Sequence, residues 1–186
     1  ARAYYVIFSW GYYSRNLDQI INVRNGGLAI HGALIAGVIV SVIFCRKRNI
    51  NPLQILDILM PSVILGQAIG RWGNFINQEA YGGPTDLPWG IMIDGVKVHP
   101  AFLYESIINV IVFIFLVWYR RNRKKNEGEV FAMYLILYSA GRFFVEGLRT
   151  DSLMFLNMRV AQLISAASII VGIALLVYLR KRKENL

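Results

Sequence analysis

The chain of 186 residues is 56% hydrophobic and only 17% charged, a balance outside the soluble range that points to a membrane protein. Its formal charge of +9 is not spread over one face, as a nucleic-acid binder requires. Twelve of the 20 Lys and Arg fall in three runs, Arg46–Arg48, Arg120–Lys125 and Arg180–Lys183, each abutting an apolar segment, which is the positive-inside pattern.

Residues 1–8 start within a helical pattern and without Met, so they are expected to be the tail of a preceding helix in a longer chain. Five apolar segments then approach the ~20 residues a bilayer crossing takes: about 29–45, 52–70, 101–119, 130–146 and 160–179. The first ends beside Cys45, the sole cysteine, which excludes an intrachain disulfide and reads as a small apolar residue at a helix end. With the basic runs on the cytoplasmic side the five segments alternate in direction, leaving 9–28, 71–100 and 147–159 outside. These outer stretches hold Trp10, Tyr12, Tyr13, Tyr81 and Trp89 and much of the Gly and Pro, which suits structured loops at the headgroup layer. The expectation is an all-α polytopic membrane helix bundle, one membrane domain over 1–186, with Gly- and aromatic-rich loops on its outer face.

Three features carry candidate chemistry. Gly70 to Thr85 packs Arg71, Asn74, Asn77 and Glu79 behind an apolar helix; its glycines suit close backbone approach, and the arginine fork matches phosphate oxygens. In segment 130–146, Tyr138, Arg142, Glu146 and Arg149 follow i, i+4, i+8 and i+11, one stripe on a helix. Such a stripe cannot face lipid cheaply and must meet a cavity or another polar helix. His31 lies at the outer end of a helix of small residues, where a packing role is as good a reading as a functional one. His99-Pro100 opens the next helix with Tyr104 and Glu105 one turn on, which also fits an interfacial cap. Asp57 reads as satisfied by a structural neighbour. No HExxH, GxSxG, Walker or CxxC pattern is present, so nothing supports metal, triad or nucleotide chemistry.

The stretch Gly70–Gly82, in the pattern G-R-x-G-N-F-x-N-x-E-x-x-G, resembles the signature of the prolipoprotein diacylglyceryl transferase family. His31-Gly32, His99-Pro100 with Leu103-Tyr104-Glu105, and Gly141-Arg142-Phe143 with Glu146 and Arg149 resemble three further blocks of it, in the family's order. Ala33 stands where a second Gly is expected, and Thr150 precedes Asp151 where Pro is common. The resemblance implies that about two of the family's seven spans precede residue 1.

It also implies transfer of the diacylglyceryl group of phosphatidylglycerol to the lipobox cysteine thiol of an exported lipoprotein precursor, the first step of bacterial lipoprotein maturation. The products are a thioether and glycerol phosphate, and no cofactor is needed. The partners implied are phosphatidylglycerol, lipobox-containing prolipoproteins and membrane lipid, in the bacterial cell membrane with the site toward the outer face. By the resemblance His31 is the base, Arg142 and Glu146 are catalytic, and Arg71, Asn74, Glu79, Gly82, Tyr138 and Arg149 bind the lipid. A lipid or anion transporter stays open as a second class, although no repeat symmetry is visible. An intramembrane hydrolase is a third, lacking an activated Ser, an Asp pair or metal ligands.

Overall fold

Long apolar runs leave a backbone in lipid one economical way to satisfy its own polar groups, the α-helix. The computed structural model, which describes residues 1–24, 26–150, 154–155 and 158–184, contains seven helices among those residues. Four are long and apolar enough to cross a membrane: Ile30–Arg48, Pro52–Ile76, Ala101–Asn122 and the Val160–Lys181 part of the last helix. The protein is thus a multi-pass, all-α membrane protein. The chain forms two compact units, Ala1–Ile55 and Leu56–Leu186.

In the first unit, α1 (Arg2–Phe8) and α2 (Trp10–Tyr13) precede a 3-10 turn at Leu17–Ile20 and α3 (Ile30–Arg48). One side chain organises the intervening loop. The Arg2 guanidinium donates to the carbonyls of Gln19, Ile20, Asn22, Gly26 and Gly27, at 2.5–2.9 Å, and lies 5.1 Å from the centre of the Tyr13 ring. That saturates the five N–H donors of the fork. Helix α3 ends with Arg46, Lys47 and Arg48 in its last turn and a left-handed Asn49 at φ 52°, so cations meet the negative end of the helix dipole. Cys45 is buried there. Pro52 opens α4 (Pro52–Ile76), and Asn51 Oδ1 accepts the Leu53 N–H at 3.0 Å.

In the second unit α4 continues, followed by a hairpin of β1 (Ile91–Ile93) and β2 (Val96–Val98), then α5 (Ala101–Asn122) and α6 (Glu129–Glu146). A two-residue β-ladder, β3 (Met154–Phe155) with β4 (Met158–Arg159), leads into α7 (Val160–Glu184). The Ile91↔Val98 register is set by Asp94-Gly95, both at positive φ as a two-residue hairpin turn of this kind demands. Helices α4 and α6 run parallel to each other and antiparallel to α5 around a core of Ile64, Val112, Leu116, Tyr119 and Val130. Helix α6 packs along α7 at Gly172, where a Cβ would lie 3.0 Å from the Ala132 carbonyl. Buried Asp57 anchors the start of α6: its carboxylate accepts the Gly128 and Phe131 N–H groups at 2.8 and 2.9 Å, with Lys124 Nζ at 3.1 Å. The neighbour expected for Asp57 is therefore a helix N-terminus and a lysine.

Candidate active site

At the opposite end of these three helices a buried carboxylate draws arginines together. Glu105, 5% exposed in the first turns of α5, receives Arg71 Nη2 from α4 on Oε2 at 2.6 Å and Arg142 Nη1 from α6 on Oε1 at 2.5 Å. Arg149 Nη1 lies 4.0 Å from the same Oε1. Glu146, 3% exposed, meets Arg142 Nη2 through Oε2 at 2.7 Å without the alignment of a hydrogen bond, so the contact is one of charge. Arg159 on β4 donates to the Glu146 backbone carbonyl.

The balance of this cluster decides what it can do. Among the described residues, Arg71 and Arg142 share Glu105, Arg142 also meets Glu146, Arg149 lies at the edge of the group, and Arg159 adds a cation at the C-terminal end of α6. A buried arginine fully matched by carboxylates is only a packing lock; one that shares its carboxylate keeps charge and N–H donors for another anion. Arg71 shares the charge of Glu105 with Arg142, to which Glu146 adds a second carboxylate. Each has a side chain about one-fifth exposed, so an incoming anion can reach it. Charge-assisted hydrogen bonds to phosphate oxygens are what such forks make best.

The signature builds one wall. Its first half is not loop: α4 runs on to Ile76, so Arg71 and Asn74 share a helix face. Asn74 Oδ1 accepts Arg71 Nη1 at 3.4 Å, and its Nδ2 donates to Glu79 Oε1 at 3.0 Å, which also takes Asn77 Nδ2 at 3.2 Å. Glu79 thus ties the loop back onto the helix that carries Arg71. The glycines of the signature do not supply the unusual backbone. Gly70 and Gly73 are helical with open space where a Cβ would be, whereas Gln78 and Ala80 take φ of 53° and 58°. Gly82 does require its lack of a side chain. It pairs with Arg149 and donates to the His99 carbonyl at 2.9 Å, and a Cβ would sit 2.7 Å from His99 Cβ and 3.0 Å from the Leu148 carbonyl. It joins the loop to the end of α6 beside the arginines.

The expected stripe on α6 is shortened. Tyr138, Arg142 and Glu146 lie on it, but the helix ends at Glu146 and Arg149 follows in the turn, reaching Glu105 from outside the helix. Tyr138 stacks on Tyr134 at 5.5 Å and 4° below the cluster. His31 belongs to the first unit, where its ring stacks with Tyr4 at 5.9 Å. His99 Nδ1 lies 3.3 Å from Tyr104 Oη, which also accepts Trp89 Nε1 at 2.9 Å, an interfacial group apart from the ion pairs. Asp151 lies outside the described residues. Glu105 and Arg159 are the residues that the sequence reading left off the site. The signal for Glu105 was available: buried arginines demand a carboxylate, and Glu105 is the one acidic residue in segment 101–119.

A family model described as prolipoprotein diacylglyceryl transferase matches residues 1–178. Among similar curated proteins, that of Finegoldia magna is 59% identical over 98% of this chain and 73% of its own length. That of Clostridioides difficile is 57% identical over 100% of this chain and 74% of its own. That of Streptococcus uberis is 49% identical over 98% and 74%. Each of these relatives is named phosphatidylglycerol–prolipoprotein diacylglyceryl transferase. This chain belongs to the prolipoprotein diacylglyceryl transferase family.

Proposed function

We infer that this chain is a bacterial membrane transferase that moves the diacylglyceryl group of phosphatidylglycerol to the cysteine thiol of a lipoprotein precursor. The observation that carries the reading is the Arg71–Glu105–Arg142 cluster, two guanidiniums sharing one buried carboxylate at 2.5–2.6 Å. In this reaction the thiolate sulfur attacks the terminal carbon of the diacylglycerol unit, and the bond from that carbon to the phosphate oxygen breaks. Glycerol phosphate leaves with the electron pair, so negative charge grows on a group held among arginines, where preorganised donors lower the barrier most. The thiol starts from a pKa of about 8.5 and needs only modest help to lose its proton.

Within this reading Arg71, Arg142 and Arg149 hold the phosphate, and Glu146, with Glu105, orients Arg142. Asn74, Glu79 and Gly82 fix the loop beside Arg71, and Tyr138 floors the site. For the thiol proton we propose His31, on the resemblance alone. The site faces the outer side of the bacterial cell membrane, because the basic runs end the helices at the other side.

The deciding experiment incubates the purified protein with phosphatidylglycerol and a lipobox peptide and weighs the peptide by mass spectrometry. A gain of one diacylglyceryl unit on cysteine is expected, and a peptide of unchanged mass sinks the reading. In the same assay His31→Asn should lose turnover near neutrality and regain part of it at higher pH. Unchanged turnover across pH 6–9 moves the base elsewhere.

A further inference from the structure

Helix periodicity puts a second polar layer under the arginines. One turn below Arg71 on α4 is Gln67, one turn below Glu105 on α5 is Asn109, and one turn below Arg142 on α6 is Tyr138. Four residues at 1.5 Å each place that layer ~6 Å deeper in the bundle. Gln67 has found a partner, with Nε2 3.0 Å from Tyr134 Oη. Asn109 has not. It is 3% exposed, and its buried Nδ2 has no hydrogen-bond partner among the described residues. A buried amide left unpaired is destabilising, and an apolar residue of similar size would avoid that cost. Ile108 beside it and Val112 one turn on are such residues, so the position is polar within an apolar stretch of helix.

The phosphate reading says what meets this amide. In a diacyl glycerophospholipid whose phosphate lies among Arg71, Arg142 and Arg149, the next polar atoms toward the hydrocarbon are the two ester carbonyls. Carbonyl oxygens accept and cannot donate, and Asn109 Nδ2 is a donor. We propose that Asn109 is a binding residue for the acyl-ester part of the lipid, donating to an ester carbonyl and so favouring diester over diether lipids. The proposal rests on the function inferred above. The ester takes no part in bond breaking, so the contact acts on binding and on the depth at which the reacting carbon is held.

The test compares diester phosphatidylglycerol with its diether analogue, which keeps the headgroup and loses both carbonyls, in the lipobox-peptide assay. One neutral hydrogen bond corresponds to about five- to tenfold in kcat/KM, and the wild-type protein should prefer the diester by that factor. Asn109→Leu removes the donor and should bring the ratio to about one, with its loss in KM for the diester and the thermal midpoint of unfolding kept or raised. Asn109→Ala removes the donor without adding apolar bulk and should erase the preference too, which guards against a Leu variant that fails to fold. A residue that merely locks α5 to its neighbours would change both lipids alike. Equal use of the two lipids by the wild-type protein, or an undiminished preference in the variants, overturns the proposal while leaving the transferase reading intact. No transfer from the diester by the wild-type protein overturns both.

Discussion

At the residue scale, Glu105 converts three separately placed arginines into one group. Replacing it by Gln keeps the shape and removes the charge that Arg71 and Arg142 share, leaving two close guanidiniums facing one carboxamide. Breaking a buried ion pair from one side costs about 3–5 kcal/mol. Glu105→Gln should therefore lower the thermal midpoint clearly and abolish transfer, whereas Glu146→Gln, which weakens the charge contact with Arg142 and leaves Glu105 in place, should retain part of the activity. An unchanged midpoint in Glu105→Gln would show that the cluster does not hold the helices. Arg71→Lys probes the other side of the balance. It keeps the charge and loses the fork, so product formation should fall by about 10²-fold with little change in stability. Wild-type turnover in that variant would mean that Arg71 only reaches toward the headgroup layer.

At the element scale, α6 is pinned at both ends by carboxylates from neighbouring helices: Asp57 of α4 at its start, Glu105 of α5 near its finish. Without the first, Glu105 and packing are left to set the register of Arg142 against Arg71. Asp57→Asn loses the charge that two helix N–H groups and Lys124 share and should destabilise the protein by about 2 kcal/mol, measured by thermal or denaturant unfolding. An unperturbed midpoint would place the anchor elsewhere. The Lys124 partnership also has a pH signature. Burial alone pushes the ammonium's pKa down, but hydrogen bonds to Glu127 and Asp57 and attraction to both carboxylates outweigh it and raise it above 10.5. A lysine whose folded pKa is raised stabilises fully below its unfolded value and loses that contribution as the pH climbs through the folded one. The stability gap between the wild-type protein and Lys124→Met should accordingly persist from neutral pH to about 10 and narrow only above it.

At the scale of the whole molecule, the charge pattern sets orientation. The basic runs close α3 and α5 and start within the last turns of α7, at helix ends whose dipoles also favour cations. We propose that these ends face the cytoplasm and the arginine cluster the exterior. Single cysteines at positions 122 and 182, in a protein with Cys45 replaced by Ser, should stay unlabelled by an impermeant thiol reagent in intact, wall-stripped cells. They should label once the membrane is opened. Labelling in intact cells reverses the orientation, and with it the side from which the precursor is served.

The apolar runs made the helices legible in the sequence, because in lipid a long apolar segment has no other fold open to it. The Tyr138–Arg142–Glu146 stripe was legible for the same reason: i+4 spacing becomes a face as soon as the helix exists. The Asp94-Gly95 hairpin is legible too, as a turn dipeptide between short runs of β-branched and apolar residues within the expected outer stretch. Where α4 stops was not. The expected span ends at residue 70 and Gly73 falls in the expected outer segment, yet the helix carries on to Ile76, since the rings of Trp72 and Phe75 pack on Phe102 of α5. The convergence of Arg71, Arg142 and Arg149 on Glu105 belongs to tertiary structure alone. A sequence fixes which face of its own helix a charge occupies. Which opposite charge it meets depends on how three helices are set against each other, and that is settled by packing around Ile64, Val112 and Leu116.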